Sequence, residues 1–222
     1  MPLPREEDFK RGVYSLGVCR QSNKAVVRFH FEWTYRMGDS TQNALDRLEA
    51  KVNSFVPNPR YLQDRFIIIT LIEAIAAAKE GNVGVGAVLV RANGEIIQSG
   101  HNHVFRPYFR SDLHAEMDVM TKFEERFKDV ETLKGYTLYS SLEPCPMCFL
   151  RLIISGVEKV YYSAVDEYGG MVHRLKYLPR EWKKLAMRQH FALAKCSREL
   201  ADIALQIFLT TVDETDGKIQ NR

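Results

Sequence analysis

The sequence predicts an α/β fold: a three-layer α/β/α sandwich around a mixed sheet, preceded by a β-hairpin and helix extension. Three observations carry this expectation. A proline pair in "VPNPR" (Val56 to Arg60) breaks any regular element and separates two differently patterned regions. Beyond the break, helical and strand-like stretches alternate, the pattern of helices layered on a sheet. Within that region "VGVGAVLVRANGEIIQSGHN" reads as a hairpin with Asn93-Gly94 at its turn, so the sheet has an antiparallel start.

Before the break lie two strand-like runs, "GVYSLGVC" and "KAVVRFHFEWTYRM", with "RQSN" between them as the turn. In the second run Val27, Phe29, Phe31 and Trp33 do not own one face, because Val26 and Tyr35 are apolar as well. Such a strand is covered on both sides or pairs with a partner subunit. "STQNALDRLEAKV" then reads as a short helix. Residues 1–60 are therefore expected to form the extension and 61–222 the main domain. Residues 13–36 carry more apolar surface than an isolated hairpin buries, which predicts a homodimer with this segment at or near the contact.

In the main domain "YLQDRFIIITLIEAIAAAKEG" is rich in good helix formers and ends on Gly81 as a cap. After the hairpin come a helix in "HAEMDVMTKFEERFKDV", a strand in "GYTLYSSL", a helix in "CPMCFLRLIISG" and a strand in "EKVYYSAVD". One last long helix is expected over "WKKLAMRQHFALAKCSRELADIALQIFL".

Composition narrows the class. An apolar fraction of 45% and a charged fraction of 27% over 222 residues are those of an ordinary globular protein. Four cysteines in a chain this long do not form a disulfide framework, which points to a reducing, cytoplasmic setting. The charged start has no apolar core of a secretory signal, and "FIIITLI" is too short to span a bilayer, so no membrane association is expected. The net charge of +3 neither requires nor excludes RNA. The basic cluster "HRLKYLPREWKK" is interrupted by Glu181 and reads as solvated surface, and the tail "TVDETDGK" is acidic.

The chemistry is concentrated in "SSLEPCPMCFL". Cys145 and Cys148 stand three apart behind Pro144, at what reads as a helix start. Such a pair suits a metal site, a redox couple or two neighbouring buried thiols. At a helix N-terminus both sulfurs can face one point, and the backbone N–H groups favour thiolate, the zinc-binding form. Upstream, "SDLHAEMDVM" places His114 and Glu116 at the opening of the preceding helix, with Asp112 available as its cap. The interval from His114 to Cys145 holds one helix, a turn and one strand, so both helices start at the same end of the sheet. One imidazole and two thiolates are three zinc ligands, and three leave a fourth position for water. Glu116 is surplus to that set and well placed to shuttle protons.

With "HAE" followed by "PCPMC", the chain resembles the cytidine/deoxycytidylate deaminase superfamily of zinc enzymes, whose H-x-E…P-C-x-x-C signature it carries. The likeness runs over roughly residues 61 to 170. "LEPCPMC" is most similar to the branch of tRNA adenosine, guanine and fungal-type cytosine deaminases. The resemblance implies Zn²⁺ held by His114, Cys145 and Cys148. It implies Glu116 as the residue that takes a proton from the attacking water and delivers protons to the ring nitrogen and the leaving ammonia. It also implies substrate contacts by Asn102, in "GHN", and Asp166, in "SAVDEYGG". The expected activity is hydrolytic deamination of a small-molecule nucleobase or nucleoside. A flipped-out adenosine in tRNA and a zinc-stabilised, non-catalytic binding module are the alternatives. Residues 1–60 have no counterpart in the resemblance, and the chain lacks the arginine-rich end associated with gripping an anticodon stem. His101 and His103, which flank Asn102, are left without a role, and Cys19 and Cys196 read as plain thiols.

Overall fold

The computed structural model describes residues 40–220, with side chains through 212. The hairpin expected before residue 37 lies outside the described residues. These contain six α-helices and five strands: α1 (Thr41–Ser54), α2 (Asp64–Lys79), β1 (Gly86–Arg91), β2 (Ile96–His101), α3 (Ala115–Arg126), β3 (Tyr136–Leu142), α4 (Pro146–Ser155), β4 (Lys159–Ala164), α5 (Arg180–Ala186), β5 (His190–Leu193) and α6 (Arg198–Gln220). A 3-10 helix spans Val172–Tyr177.

The sheet order is β2-β1-β3-β4-β5. β1 runs antiparallel to both β2 and β3, whereas β3, β4 and β5 are parallel. The sheet is therefore mixed, as the Asn-Gly hairpin required. Gly94 takes φ +85 in that turn, and its N–H donates to the Arg91 carbonyl at 2.8 Å. β1 is an interior strand, flanked by β2 and β3, and buries every residue but Arg91, which explains its unbroken "GAVLV" run.

α2 lies on one face of the sheet, packed with α1 and α6, while α3 and α4 cover the other. The two faces of the β1–β2 pair show the layering directly. A Cβ at Gly86 would meet the Thr70 carbonyl oxygen of α2 at 2.2 Å, and one at Gly100 of β2 would meet the Asp118 carboxylate of α3 at 2.2 Å. α1 sets Leu45, Leu48 and Val52 on one stripe and buries all three in the main core. α2 ends at a Glu80 cap, with Gly81 at φ +87 in the next position, one residue beyond the place expected for it.

The last long helix expected from sequence is not one element. It divides into α5, β5 and α6, and α6 runs on through the acidic tail to Gln220. β5 continues the sheet parallel to β4. The Gln189 amide donates to the carbonyls of Leu152 and Val157, both at 2.7 Å, and fixes the break before β5. Ser197 directly precedes α6 and is held by the buried Asp64 of α2, which accepts from the Ser197 N–H at 2.7 Å and its hydroxyl at 2.6 Å. α5 and the 3-10 helix pack through Trp182, Leu175 and Ala186 against Phe149 and Ile153 of α4, in a small second core. Tertiary packing, not local propensity, decides this region.

Candidate active site

The register brings the ends of β2 and β3 and the start of β1 to one rim of the sheet: Gly86 pairs with His101, and Ala87 with Ser140. β4 ends at the same rim, because Leu142 pairs with Ala164. The segments after β2, β3 and β4 therefore leave the sheet together, carrying Asn102, Cys145 and Asp166. Such a rim, at the carboxyl ends of parallel strands, is where open α/β sheets place ligands.

His114 is the N-cap of α3 and Cys145 the N-cap of α4, and neither makes a side-chain capping bond. Their functional atoms converge: His114 Nδ1 stands 3.5 Å from Cys145 Sγ. The ligand atoms of His114, Cys145 and Cys148 all lie within 4.8 Å of one another. Zinc bonds of about 2.0–2.1 Å to nitrogen and 2.3 Å to sulfur give tetrahedral N···S edges of about 3.6 Å. Two soft thiols and an imidazole at that spacing fit zinc. An imidazole this close to the thiols is also something a redox couple does not require.

Two details differ from expectation. Asp112 does not cap α3. It lies two residues before the cap and receives two hydrogen bonds from the Arg110 guanidinium, at 3.0 and 2.9 Å. α4 begins at Pro146, not at Pro144, which stands in the approach. Cys145 and Cys148 thus occupy the cap and the first turn, where free N–H groups point.

The electrostatics agree with ligand chemistry. The hydrogen bond with Cys148 lowers the Cys145 thiol to about 4 against the effect of burial, and His114 reinforces the shift. Cys148 is raised by that same hydrogen bond and then by burial, so the pair readily holds one negative charge beside His114. Burial lowers the His114 imidazole, but the neighbouring Cys145 outweighs it and leaves the group raised. Loss of the second thiol proton would accompany metal binding.

Glu116 is 4% exposed in the first turn of α3, and Ser140 of β3 donates its hydroxyl to Glu116 Oε1 at 3.2 Å. Burial raises its carboxyl above the ordinary range, and the Cys145 thiolate adds to this. A carboxyl in such a place takes up a proton more readily than a surface glutamate does.

Asn102 is buried just past β2, and its Oδ1 accepts the Val104 N–H at 3.0 Å. Asp166 is half-buried, and its Oδ1 accepts the N–H groups of Tyr168 and Gly169 at 3.0 and 2.9 Å. Both side chains shape turns at the rim. Sequence reasoning missed Glu143, whose buried carboxylate accepts the His173 N–H at 2.8 Å and lies 2.9 Å from His173 Nδ1. It also receives the Asp166 N–H at 3.3 Å. One residue before the Pro-Cys pair, Glu143 thus fastens the segment 166–173 behind the thiol loop. A glutamate at the end of an apolar strand was the signal available for it.

The family model for the cytidine and deoxycytidylate deaminase zinc-binding region matches residues 62–164. The chain is 40% identical over 111 residues to the tRNA-specific adenosine deaminase of Aquifex aeolicus, covering 50% of this chain and 72% of that one. This chain belongs to the cytidine and deoxycytidylate deaminase family. It is also 46% identical over 111 residues to the tRNA-specific adenosine deaminase of Bacillus subtilis, spanning 49% of this chain and 66% of the relative. Among solved structures, one from a study of A-to-I editing by tRNA:A34 deaminases at the wobble position superposes with a TM-score of 0.51 and 29% identity, covering 59% of this chain and 97% of that one. The guanine deaminase from Nitrosomonas europaea superposes at 0.52 with 21% identity, covering 72% and 91%, and shares the fold. The family is one of zinc-binding deaminases, and the His/Cys/Cys group supplies a fitting zinc site. Among the described residues no helix is long and apolar enough to cross a membrane.

Proposed function

We propose that this chain is a zinc-dependent enzyme that hydrolyses the exocyclic amine of a nucleobase or nucleoside and releases ammonia. The observation that carries the reading is the buried Glu116 carboxyl beside the convergent His114, Cys145 and Cys148. Those three residues would hold the zinc. When bound, zinc supplies Lewis acidity that lowers the pKa of a coordinated water towards neutrality. Glu116 takes a proton from the attacking water and delivers it to the ring nitrogen as the C–O bond forms, then relays the second water proton to the amine, which leaves as ammonia when the C–N bond breaks. Ser140 orients the carboxylate through its hydrogen bond to Oε1. The Asn102 carbonyl oxygen is committed to its turn, so its base contact falls to the amide nitrogen. Asp166 bounds the other side of the rim, and a base contact is proposed for it on the resemblance alone.

A second reading, adenosine within tRNA, is favoured by the names of the relatives, several of which are tRNA-specific adenosine deaminases. The nearly balanced charge favours the small substrate. We further propose a cytoplasmic homodimer. Among the described residues Ile154, Tyr168, Tyr177 and Met187 leave apolar surface exposed, which a subunit contact would cover. Residues 61–222 are proposed as the deaminase domain and 1–60 as its extension, attached through α1 where it packs on α2 and α6. The deciding experiment is ammonia release across bases, nucleosides, nucleotides and tRNA. Release from a free base or nucleoside supports the first reading, release only from tRNA supports the second, and release from none overturns both.

A further inference from the structure

Away from the His/Cys/Cys cluster, a strand end and a helix set four titratable side chains against each other. Ser99 and His101 alternate along the end of β2 and so project to one side, and His103 follows two residues past its end. Opposite them, Glu73 and Glu80 lie two turns apart on α2, at the helix and just past it, and so share a face. His101 sits between the two carboxylates. Its Nδ1 is 2.6 Å from Glu73 Oε2, and its Nε2 is 3.2 Å from Glu80 Oε2. His103 Nδ1 is 3.6 Å from the same Glu80 oxygen, and the two imidazole rings are 4.2 Å apart.

We propose that His101 Nε2, His103 Nδ1 and Glu80 Oε2 form a second metal site, for a divalent transition ion that accepts imidazole and carboxylate. Three features carry it. The ligand atoms lie within 4.8 Å of one another, and the two nitrogen–oxygen separations bracket the roughly 3.4 Å edge of a tetrahedron with bonds of about 2.0–2.2 Å. Glu73 accepts the Nδ1–H of His101 and leaves Nε2 as the donor atom, the carboxylate–histidine arrangement that orients metal-bound imidazoles. Glu73 is in turn held by the Ser99 hydroxyl at 2.5 Å, so the orienting carboxylate is itself fixed. His103 has Asp118 at 3.9 Å from its other nitrogen, in the same relation at longer range.

The donors are two imidazoles and one carboxylate without sulfur, so the site suits zinc, nickel, cobalt or copper and not the softest ions. Its position gives it a role. An ion there would clamp the segment leaving β2, which carries Asn102, to the C-terminal end of α2. The rival arrangement is an ion-pair cluster in which protonated His101 bridges the two glutamates.

Titration with Co²⁺ of protein carrying one zinc per chain separates the two, because the thiolate site, with its softer ligands, takes that single zinc and leaves the imidazole–carboxylate cluster open. The site predicts about one further cobalt per chain with d–d absorption and no thiolate-to-metal charge-transfer band. His103→Ala and Glu80→Gln should each weaken that binding by at least about 10-fold, and Glu73→Gln by about 10–100-fold. Glu80 has a half-exposed side chain, so its substitution leaves the fold intact and keeps the test valid if His103→Ala does not. Absence of the added cobalt spectrum in wild type, or cobalt binding that neither variant weakens, overturns the site.

Discussion

Cys148 is 1% exposed in the first turn of α4, beside Cys145 and Glu116. Replacing it with serine removes a soft ligand while keeping its volume. Loss of a direct ligand should cost at least the roughly 10–100-fold in metal affinity that a supporting residue does. At a hundredfold excess of metal over its dissociation constant the linked stability is about 2.7 kcal/mol, and much of it should vanish. Metal content after dialysis and urea unfolding with and without zinc check both effects; a Cys148→Ser protein that keeps its full zinc would remove the thiol from the site. Glu143 makes a different kind of prediction, because its carboxylate holds the backbone of the 166–173 segment. Glu143→Ala strands the N–H groups of His173 and Asp166 and should destabilise the fold by about 1–3 kcal/mol. Equilibrium unfolding tests this, and unchanged stability would show that the 166–173 segment is anchored elsewhere.

At the scale of elements, β1 packs closely on α2. A methyl group at Gly86 would lie 2.2 Å from the Thr70 carbonyl oxygen and 2.6 Å from the Ala74 nitrogen, and backbone does not yield as a side-chain tip does. Gly86→Ala should therefore cost about 1–3 kcal/mol or more by overpacking, read as a lower urea midpoint. The same scale shows what was legible in the sequence. α2, the β1–β2 hairpin, α3, β3, α4 and β4 were, because each carries its own periodicity, and α2, the hairpin and α4 also carry a glycine signal: Gly81, Asn93-Gly94 and Gly156. The convergence of His114 with Cys145 was legible too, since the number of elements between them fixes their end of the sheet. The region after Tyr177 was not. β5 is four residues long and gains its identity from pairing with β4, while the α6 start is held by Asp64, 133 positions away in sequence. A local signal did exist there, since Ser197 before Arg-Glu is a helix-capping pattern. Asp112 failed as a cap for the opposite reason, because the nearby Arg110 captured it.

At the scale of the whole molecule, residues 13–36 lie outside the described residues, and the proposed dimer rests on their apolar sequence and on the exposed side chains of the main domain. Light scattering should give a mass near twice 25.6 kDa, and a chain truncated to begin near Arg60 should shift towards monomer or aggregate. A full-length monomer at high micromolar concentration would end the dimer. The central claim concerns chemistry and is tested at one residue of the intact protein. Glu116→Gln keeps the volume and the Ser140 hydrogen bond but cannot carry the proton. Turnover of the best amino-substituted substrate, measured by ammonia release with both proteins fully loaded with zinc, should fall by at least about 10²–10⁴-fold in the variant. Equal turnover by wild type and Glu116→Gln, at equal zinc content, would contradict the mechanism.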